Sequence, residues 1–225
     1  LTWSAPLLVI AIMVFVFGQR TENHAVTKSG RLWPDLASKL NWKIGMILAS
    51  VASTYFCTNA FLPAYLTGTG RSADVSAALT ALNVGQFPIS LLMVALADWF
   101  QSKRWPFIFF GVMMLASIFG VVFSTGWWTI VFAGVTGIAC SALLTLGMAL
   151  PPLLARNPDD VARILAAALA ISYTYAMLVS LVSGIAWDVG GMAVFAFVPV
   201  AIAATPSLFT IWTISLKASP GIDPS

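Results

Sequence analysis

The chain has 225 residues, of which 60% are hydrophobic and only 8% are charged. Soluble domains carry charges on about a quarter of their residues, so this composition and the mean hydropathy of +0.93 exclude a soluble protein. The net charge of +3 does not indicate nucleic-acid binding, because the cations flank apolar segments and form no basic patch with interleaved aromatic residues.

The apolar segments predict seven membrane spans. Each is long enough to cross a hydrocarbon core as a helix, which takes about 20 residues, and none has the short alternating pattern of a transmembrane strand. The predicted spans are Leu1–Gly18, Ile44–Leu66, Val75–Ala97, Trp105–Ser124, Trp127–Ala155, Ile164–Trp187 and Val189–Leu216. We therefore expect an all-α, polytopic membrane protein.

The positions of the cations predict the orientation of these spans. Threading the spans alternately through a membrane places ten of the eleven Lys and Arg residues on one side and leaves only Arg71 on the other. Five of the ten lie in the long polar loop between the first two spans: Arg20, Lys28, Arg31, Lys39 and Lys43. Because short basic loops stay in the cytoplasm, this pattern places the C-terminus there.

The connections hold few groups that could perform chemistry. Asn157 and Pro158 predict a helix start before two carboxylates, those of Asp159 and Asp160. The two cysteines, Cys57 and Cys140, lie within predicted spans and suit packing. The only histidine, His24, lies in a loop without a cluster of Cys, Asp or Glu. We expect no metal site, no cofactor and no group of catalytic residues.

Polar side chains of the spans share one depth. The only Asn and Gln residues within the predicted spans are Asn59, Asn83 and Gln86. Tyr55, near the middle of the second span, and the pair Tyr173 and Tyr175, which straddle the middle of the sixth, lie at the same level. Transporters bind their substrates near the midplane, so this polar layer predicts a substrate site. The alternative is interhelical hydrogen bonding that only holds helices together.

Helical geometry divides the two tyrosines of the sixth span. Tyr173 and Tyr175 are two residues apart, so only one of them can face a cavity. The first, fourth and seventh spans lack Asn, Gln, Tyr and His, which suits lipid-facing helices. The fifth span carries small residues that permit close helix approach, followed by two prolines: Gly134, Gly137, Ser141, Gly147, Pro151 and Pro152.

A short motif follows the third span. Residues 95–104 read ALADWFQSKR and resemble the cytoplasmic signature of the major facilitator superfamily, Gly-x-x-x-Asp-Arg-x-Gly-Arg-Arg. Asp98, Lys103 and Arg104 match, whereas Val94 and Trp99 depart from the pattern, as does Gln101. The resemblance implies that Asp98, Lys103 and Arg104 close a cytoplasmic gate, with Arg156 and Arg163 as the partners within this chain.

Two further segments resemble the cyanate permease and nitroimidazole-resistance branch of that superfamily. The first is Tyr55-x-x-x-Asn59-x-x-Leu62-Pro63-x-Tyr65-Leu66, and the second is Ser172-Tyr173 followed by Gly184, with Ser180 in place of an expected proline. The resemblance favours Tyr173 over Tyr175, so the predicted substrate-binding residues are Tyr55, Asn59, Asn83, Gln86 and Tyr173. The resemblance implies a twelve-helix fold in which residues 1–18 are helix six, 19–43 the basic central loop, 44–216 the C-terminal six-helix half and 217–225 a cytoplasmic tail. Helices one to five would belong to an N-terminal half upstream of residue 1.

The resemblance and the polar layer together predict a secondary active transporter of the inner membrane. It would move a small polar or anionic solute by alternating access, with a proton or another ion as a possible coupling partner. A membrane-embedded scaffold or a receptor-like protein without transport activity is the alternative. A retinal-type receptor would need a lysine inside a late span, and Lys217 lies at a span end.

Overall fold

The computed structural model describes residues 36–100, 103–155 and 157–214, and this part of the chain contains helices and no strand. The α-helices are α1 Lys39–Gly68, α2 Val75–Val84, α3 Gln86–Ala95, α4 Ala97–Phe100, α5 Trp105–Phe123, α6 Trp127–Leu154, α7 Pro158–Gly190, α8 Phe197–Ala204 and α9 Pro206–Thr210. Short 3₁₀ turns cover Ser72–Asp74, Ala193–Ala196 and Ile211–Thr213.

Six helical stretches of the described residues are long and apolar enough to cross a membrane. They are Lys39–Gly68, Ser72–Met93, Trp105–Phe123, Trp127–Leu154, Asp160–Gly190 and Ala193–Thr213. They correspond to the second to seventh predicted spans. The predicted first span, Leu1–Gly18, lies outside the described residues, as do the loop as far as residue 35 and the tail 217–225. The protein is a membrane-embedded helical bundle.

Helix α1 is the centre of this bundle and packs against α6, α7, α8 and α9. One of its faces buries Ile44, Leu48 and Leu62 completely or almost completely. Its Ser50 and Ser53 are also fully buried, because their hydroxyls donate to backbone carbonyls one turn earlier, at 3.0 Å to Met46 O and 2.7 Å to Ala49 O. Such internal bonds allow a polar residue to lie inside an apolar bundle.

The predicted third span, Val75–Ala97, is not one continuous helix. It divides at Gly85 into α2 and α3. Pro88 has no N–H to donate to the carbonyl of Val84, and its ring crowds that carbonyl, so the regular helix is interrupted there. A Cβ on Gly85 would lie 3.1 Å from the carbonyl oxygen of Gly134. The break therefore lies against the backbone of α6.

The predicted seventh span is also shorter and more segmented than Val189–Leu216. Helix α7 continues to Gly190 and ends at Gly191, whose φ of 69° gives a left-handed cap that glycine adopts easily. The last span then starts at Ala193. Pro206 divides it, because the proline cannot donate to the carbonyl of Ile202, and the hydroxyl of Thr205 donates to that carbonyl instead at 2.8 Å.

The small residues of α6 do permit close helix contacts, which confirms the prediction. A Cβ on Gly137 would overlap the backbone carbonyl of Leu82 on α2, and one on Gly147 would lie 2.6 Å from Leu48 Cδ2 on α1. Ser141 forms a 2.7 Å hydrogen bond with Ser90 of α3. Helix α6 thus brings the broken span and α1 together.

The two ends of the bundle differ in charge, as the cation pattern predicts for the described residues. At one end, Lys43 Nζ donates to Thr213 O at 2.7 Å and Arg104 to Ile214 O at 3.0 Å. These two bonds satisfy carbonyls at the end of the last span. Arg71 lies at the opposite end. The predicted helix start is confirmed, because Asn157 Oδ1 accepts from Asp160 N at 3.0 Å.

Candidate functional site

A cavity of about 170 Å³ lies near the middle of the bundle, between α1, α3, α6 and α7. Its lining includes three of the five predicted site residues, Tyr55, Gln86 and Tyr173. The other lining residues are Leu48, Val51, Ala52, Phe56, Cys140, Leu144, Leu169 and Ser172. Four separate helices therefore contribute to one cavity at the depth where the sequence places its polar side chains.

The two remaining predicted residues, Asn59 and Asn83, lie behind Tyr55 in a hydrogen-bonded chain. The Tyr55 hydroxyl donates to Asn83 Oδ1 at 2.7 Å, and Asn83 Nδ2 donates to Asn59 Oδ1 at 3.2 Å. Each amide nitrogen also donates to a backbone carbonyl, Asn83 Nδ2 to Leu79 O at 2.8 Å and Asn59 Nδ2 to Tyr55 O at 2.9 Å. Both side-chain amides are therefore engaged within the protein, and they link α1 to α2.

Gln86 lies at the beginning of α3, immediately after the helix break. Its Nε2 donates to Leu82 O at 3.3 Å, which is a long bond. Its backbone carbonyl accepts from the hydroxyls of Ser90 at 2.7 Å and Ser141 at 3.3 Å. These serines hold the start of α3 against α6, so the side chain of Gln86 extends from a fixed point of the cavity wall.

Two aromatic rings border the cavity on its open side. The ring centroids of Phe56 and Tyr173 are 6.1 Å apart, and Phe56 contacts Tyr55 edge-on at 5.5 Å. Tyr173 is 57% exposed, and its hydroxyl has no hydrogen bond within the described residues. Tyr175 lines a different groove, which it shares with Trp42 and Met46. Of the two tyrosines on α7, only Tyr173 reaches the cavity.

The lining of this cavity carries no charged side chain among the described residues. No group of three or more His, Cys, Asp or Glu residues in the described ranges could hold a metal ion. The cavity combines aliphatic and aromatic surface with the hydroxyl and amide groups of a few side chains. This composition suits binding of a small molecule by hydrogen bonds and apolar contact.

Sequence reasoning missed part of the lining. Phe56 directly follows Tyr55, Ser172 directly precedes Tyr173, and Cys140 belongs to the small-residue region of α6. An aromatic residue, a serine and a cysteine inside apolar helices are ordinary packing residues, so nothing in the sequence separates them from their neighbours.

The predicted gate residues are only partly described. The side chain of Asp98 and all of Arg156 lie outside the described residues. Each remaining cation has a different partner: Lys103 Nζ lies 3.7 Å from the centroid of the Trp99 ring, Arg104 bonds to Ile214 O, and Arg163 lies 3.7 Å from Asp160. Arg163 and Asp160 also border a second cavity of about 440 Å³ at this end of the bundle.

Comparison of the chain with protein-family models, with curated proteins and with solved structures gave no match.

Proposed function

We propose that this chain is the C-terminal part of a secondary active transporter of the major facilitator type. It would lie in the cytoplasmic membrane with its C-terminus in the cytoplasm and move a small solute by alternating access. The observation that carries this proposal is the cavity midway along the bundle, formed by Tyr55, Gln86 and Tyr173 from three different helices. Substrate sites of transporters lie at this depth.

The state of the hydrogen-bonding groups supports binding over a purely structural role. Interhelical bonding explains Asn59 and Asn83, whose amides are engaged with Tyr55 and with the backbone. It does not explain Tyr173, which borders the cavity, is largely exposed and makes no hydrogen bond among the described residues. A polar group inside a membrane bundle is costly unless it is satisfied, so a solute or water is the expected partner.

The charge distribution supports the orientation. Among the described residues, Lys39, Lys43, Lys103, Arg104 and Arg163 lie near the starts of α1, α5 and α7, at the end opposite Arg71. The resemblance of residues 95–104 to the superfamily signature supports the family and the gate. The exposed side of Phe56 and Tyr173 suits a covering N-terminal half, which would also supply any proton carrier, since the described cavity lining has none.

The native cysteines offer a direct test of solute access. The chain has two, and Cys140 lines the cavity, whereas Cys57 is buried between α1 and α7 with its Sγ 3.3 Å from Ser180 Oγ. Cys57→Ser therefore leaves a single thiol in the cavity wall. In the whole protein reconstituted in liposomes, we expect small water-soluble thiol reagents to label Cys140 in this variant.

The matched control is Cys140→Ser, which leaves Cys57 as the only thiol of these 225 residues; any cysteine of an N-terminal half is replaced by serine in both variants. Both thiols are almost completely buried, at 2% exposure for Cys140 and 0% for Cys57, so a difference in labelling would report the alternating opening of the cavity. Equal protection of the two thiols under all conditions, including in the presence of an ion gradient, would contradict transport through this cavity.

A further inference from the structure

We propose that the solute donates a hydrogen bond to the hydroxyl oxygen of Tyr55, and that the cavity prefers an uncharged amide over an oxyanion. This inference deepens the proposed function and rests on it. It narrows the expectation of a small polar or anionic solute to one chemical class. The direction of the hydrogen bonds around Tyr55 and the lack of a cation in the described lining produce this preference.

Backbone carbonyls determine the orientation of both asparagine amides. A carbonyl oxygen can only accept, so the group of Asn83 that faces Leu79 O at 2.8 Å must be its NH₂. The same holds for Asn59, whose NH₂ faces Tyr55 O at 2.9 Å. The carbonyl oxygen of Asn83 is then the atom that faces the Tyr55 hydroxyl at 2.7 Å.

This orientation makes the Tyr55 hydroxyl a donor toward Asn83. A phenolic hydroxyl has one hydrogen and two lone pairs, and its hydrogen is used inside the protein. Toward the cavity, Tyr55 therefore offers only lone pairs. A solute that bonds to this oxygen must bring its own N–H or O–H group. The oxygens of a carboxylate or other oxyanion would face the lone pairs of Tyr55 and be repelled.

Gln86 adds both an acceptor and a donor. Its Nε2 donates one hydrogen to the carbonyl of Leu82 at 3.3 Å, which orients the amide and leaves Oε1 and the second N–H unused among the described residues. No Lys, Arg or His lines the described cavity to balance a negative charge. Removing an anion from water without a counter-charge is very costly, and the neutral donors of this wall do not supply one, so the described wall disfavours anions.

The rest of the lining indicates which kind of solute carries the donor group. Phe56 and Tyr173 provide aromatic faces, and Leu48, Val51 and Leu144 provide aliphatic surface. Flat apolar groups pack well against such rings. A primary amide on a small apolar ring matches this wall, because its N–H groups can reach the acceptors while its body contacts the rings.

Three probes of nearly the same shape test the proposal: benzamide, benzoate and N,N-dimethylbenzamide. Benzamide donates N–H bonds, benzoate is an anion without donors, and the dimethyl compound is neutral without donors. The measurement is protection of Cys140 from a thiol reagent in the Cys57→Ser protein in liposomes. We expect benzamide to protect at concentrations roughly three- to tenfold lower than either analogue, the difference that one neutral hydrogen bond produces.

Two variants then test the direction of the bonds. Tyr55→Phe keeps the ring and removes the acceptor, so the benzamide advantage should fall roughly threefold or more. Asn83→Leu removes the group that occupies the Tyr55 hydrogen, so the freed hydroxyl can donate and the preference should shift toward benzoate. Tyr175→Phe, which removes a hydroxyl from the neighbouring groove, is the matched control and should change nothing.

The outcomes separate this inference from the proposed function. If Cys140 is labelled but benzoate protects it best, or if Tyr55→Phe leaves benzamide protection unchanged, the donor preference is wrong and the cavity remains a solute site. If Cys140 is never labelled, the proposed function itself fails. Because Tyr55→Phe changes a single hydroxyl, the test does not depend on the folding of Asn83→Leu.

Discussion

The polar residues at the Arg71 end of the bundle and those around the cavity use the same chemical groups in different ways. Tyr65 is 7% exposed, and its hydroxyl donates to Val122 O at 2.6 Å, whereas Tyr173 is 57% exposed and has no hydrogen bond among the described residues. Arg71 donates to Ser124 O at 3.2 Å and Thr129 Oγ1 at 2.8 Å. The Arg71 region is thus satisfied by the protein itself.

This difference separates a structural role from a binding role. Arg71, with its guanidinium 5.6 Å from the centroid of the Tyr65 ring, connects the end of α1 to the turn between α5 and α6. Around the cavity, Tyr55, Gln86 and Tyr173 keep hydrogen-bonding capacity that no described residue uses. We therefore expect substitutions in the Arg71 region to change stability and substitutions in the cavity to change solute binding.

The largest effect should come from Gly137, which lies on α6 between the two regions. Gly137→Val would place a branched side chain against the backbone carbonyl of Leu82. Because a backbone cannot move aside easily, we expect a loss of about 3 kcal/mol in the free energy of unfolding, measured by detergent titration. Binding should weaken as well, since α2 and α6 would separate beside the cavity.

Gly184→Ala is the control for this prediction. A Cβ at Gly184 meets no atom within 4 Å. In a helix interior, alanine is favoured over glycine by about 1 kcal/mol, so this variant should be as stable as the natural protein or more stable. Similar losses for both variants would mean that the α2–α6 contact is not the reason for the effect.

Arg71→Met should have the next largest effect and should affect stability alone. Methionine keeps much of the apolar stem but removes the bonds to Ser124 O and Thr129 Oγ1. We expect a loss of about 2 kcal/mol, the usual range for hydrogen bonds to a charged group. Lys103→Met, at the other end, removes a cation that lies over a tryptophan ring and should cost about 1 kcal/mol or less.

Benzamide binding tests whether the role of Arg71 is structural only. Protection of Cys140 by benzamide should be the same in Arg71→Met and in the natural protein once both are folded. A weakened protection in a fully folded Arg71→Met protein would show that the Arg71 region communicates with the cavity, against the separation of roles.

The smallest effects on stability are expected at two tyrosines, Tyr65 and Tyr173, when each loses its hydroxyl. Tyr65→Phe leaves the Val122 carbonyl without its partner, so it should cost about 1 kcal/mol. Tyr173→Phe removes a hydroxyl without a described partner and should change stability by less than about 0.5 kcal/mol. Its effect should instead appear as weaker protection of Cys140 by benzamide. The reverse pattern would assign Tyr173 to structure.

Much of this organisation follows from periodicity and composition alone. Apolar length is sufficient to predict the six spans found in the described residues, because a bilayer requires every backbone group to be bonded within a helix. The helix start at Asn157 is equally local, since one side chain bonds to a backbone N–H three residues later. The common depth of Tyr55, Gln86 and Tyr173 could also be read from their positions within the spans.

The broken third span shows where such reasoning stops. Pro88 marks a possible interruption, but a proline inside a membrane helix can also leave a continuous, bent helix. The break at Gly85 lies against the backbone of α6, where a Cβ would come within 3.1 Å of the carbonyl oxygen of Gly134. That distance is a property of two helices packed together and has no signature in either segment.

The sequence by itself therefore determined the class of the protein, the positions of its described spans, the separation of its cations and the depth of its polar layer. Each of these depends on one helix and its solvent. Only the tertiary structure decided that the side-chain amides of Asn59 and Asn83 are used in hydrogen bonds with Tyr55 and with each other. It also decided that Tyr173 and not Tyr175 faces the cavity, and that Phe56 and Cys140 complete the cavity wall. These outcomes depend on the rotation of each helix about its axis, which packing against several neighbours determines.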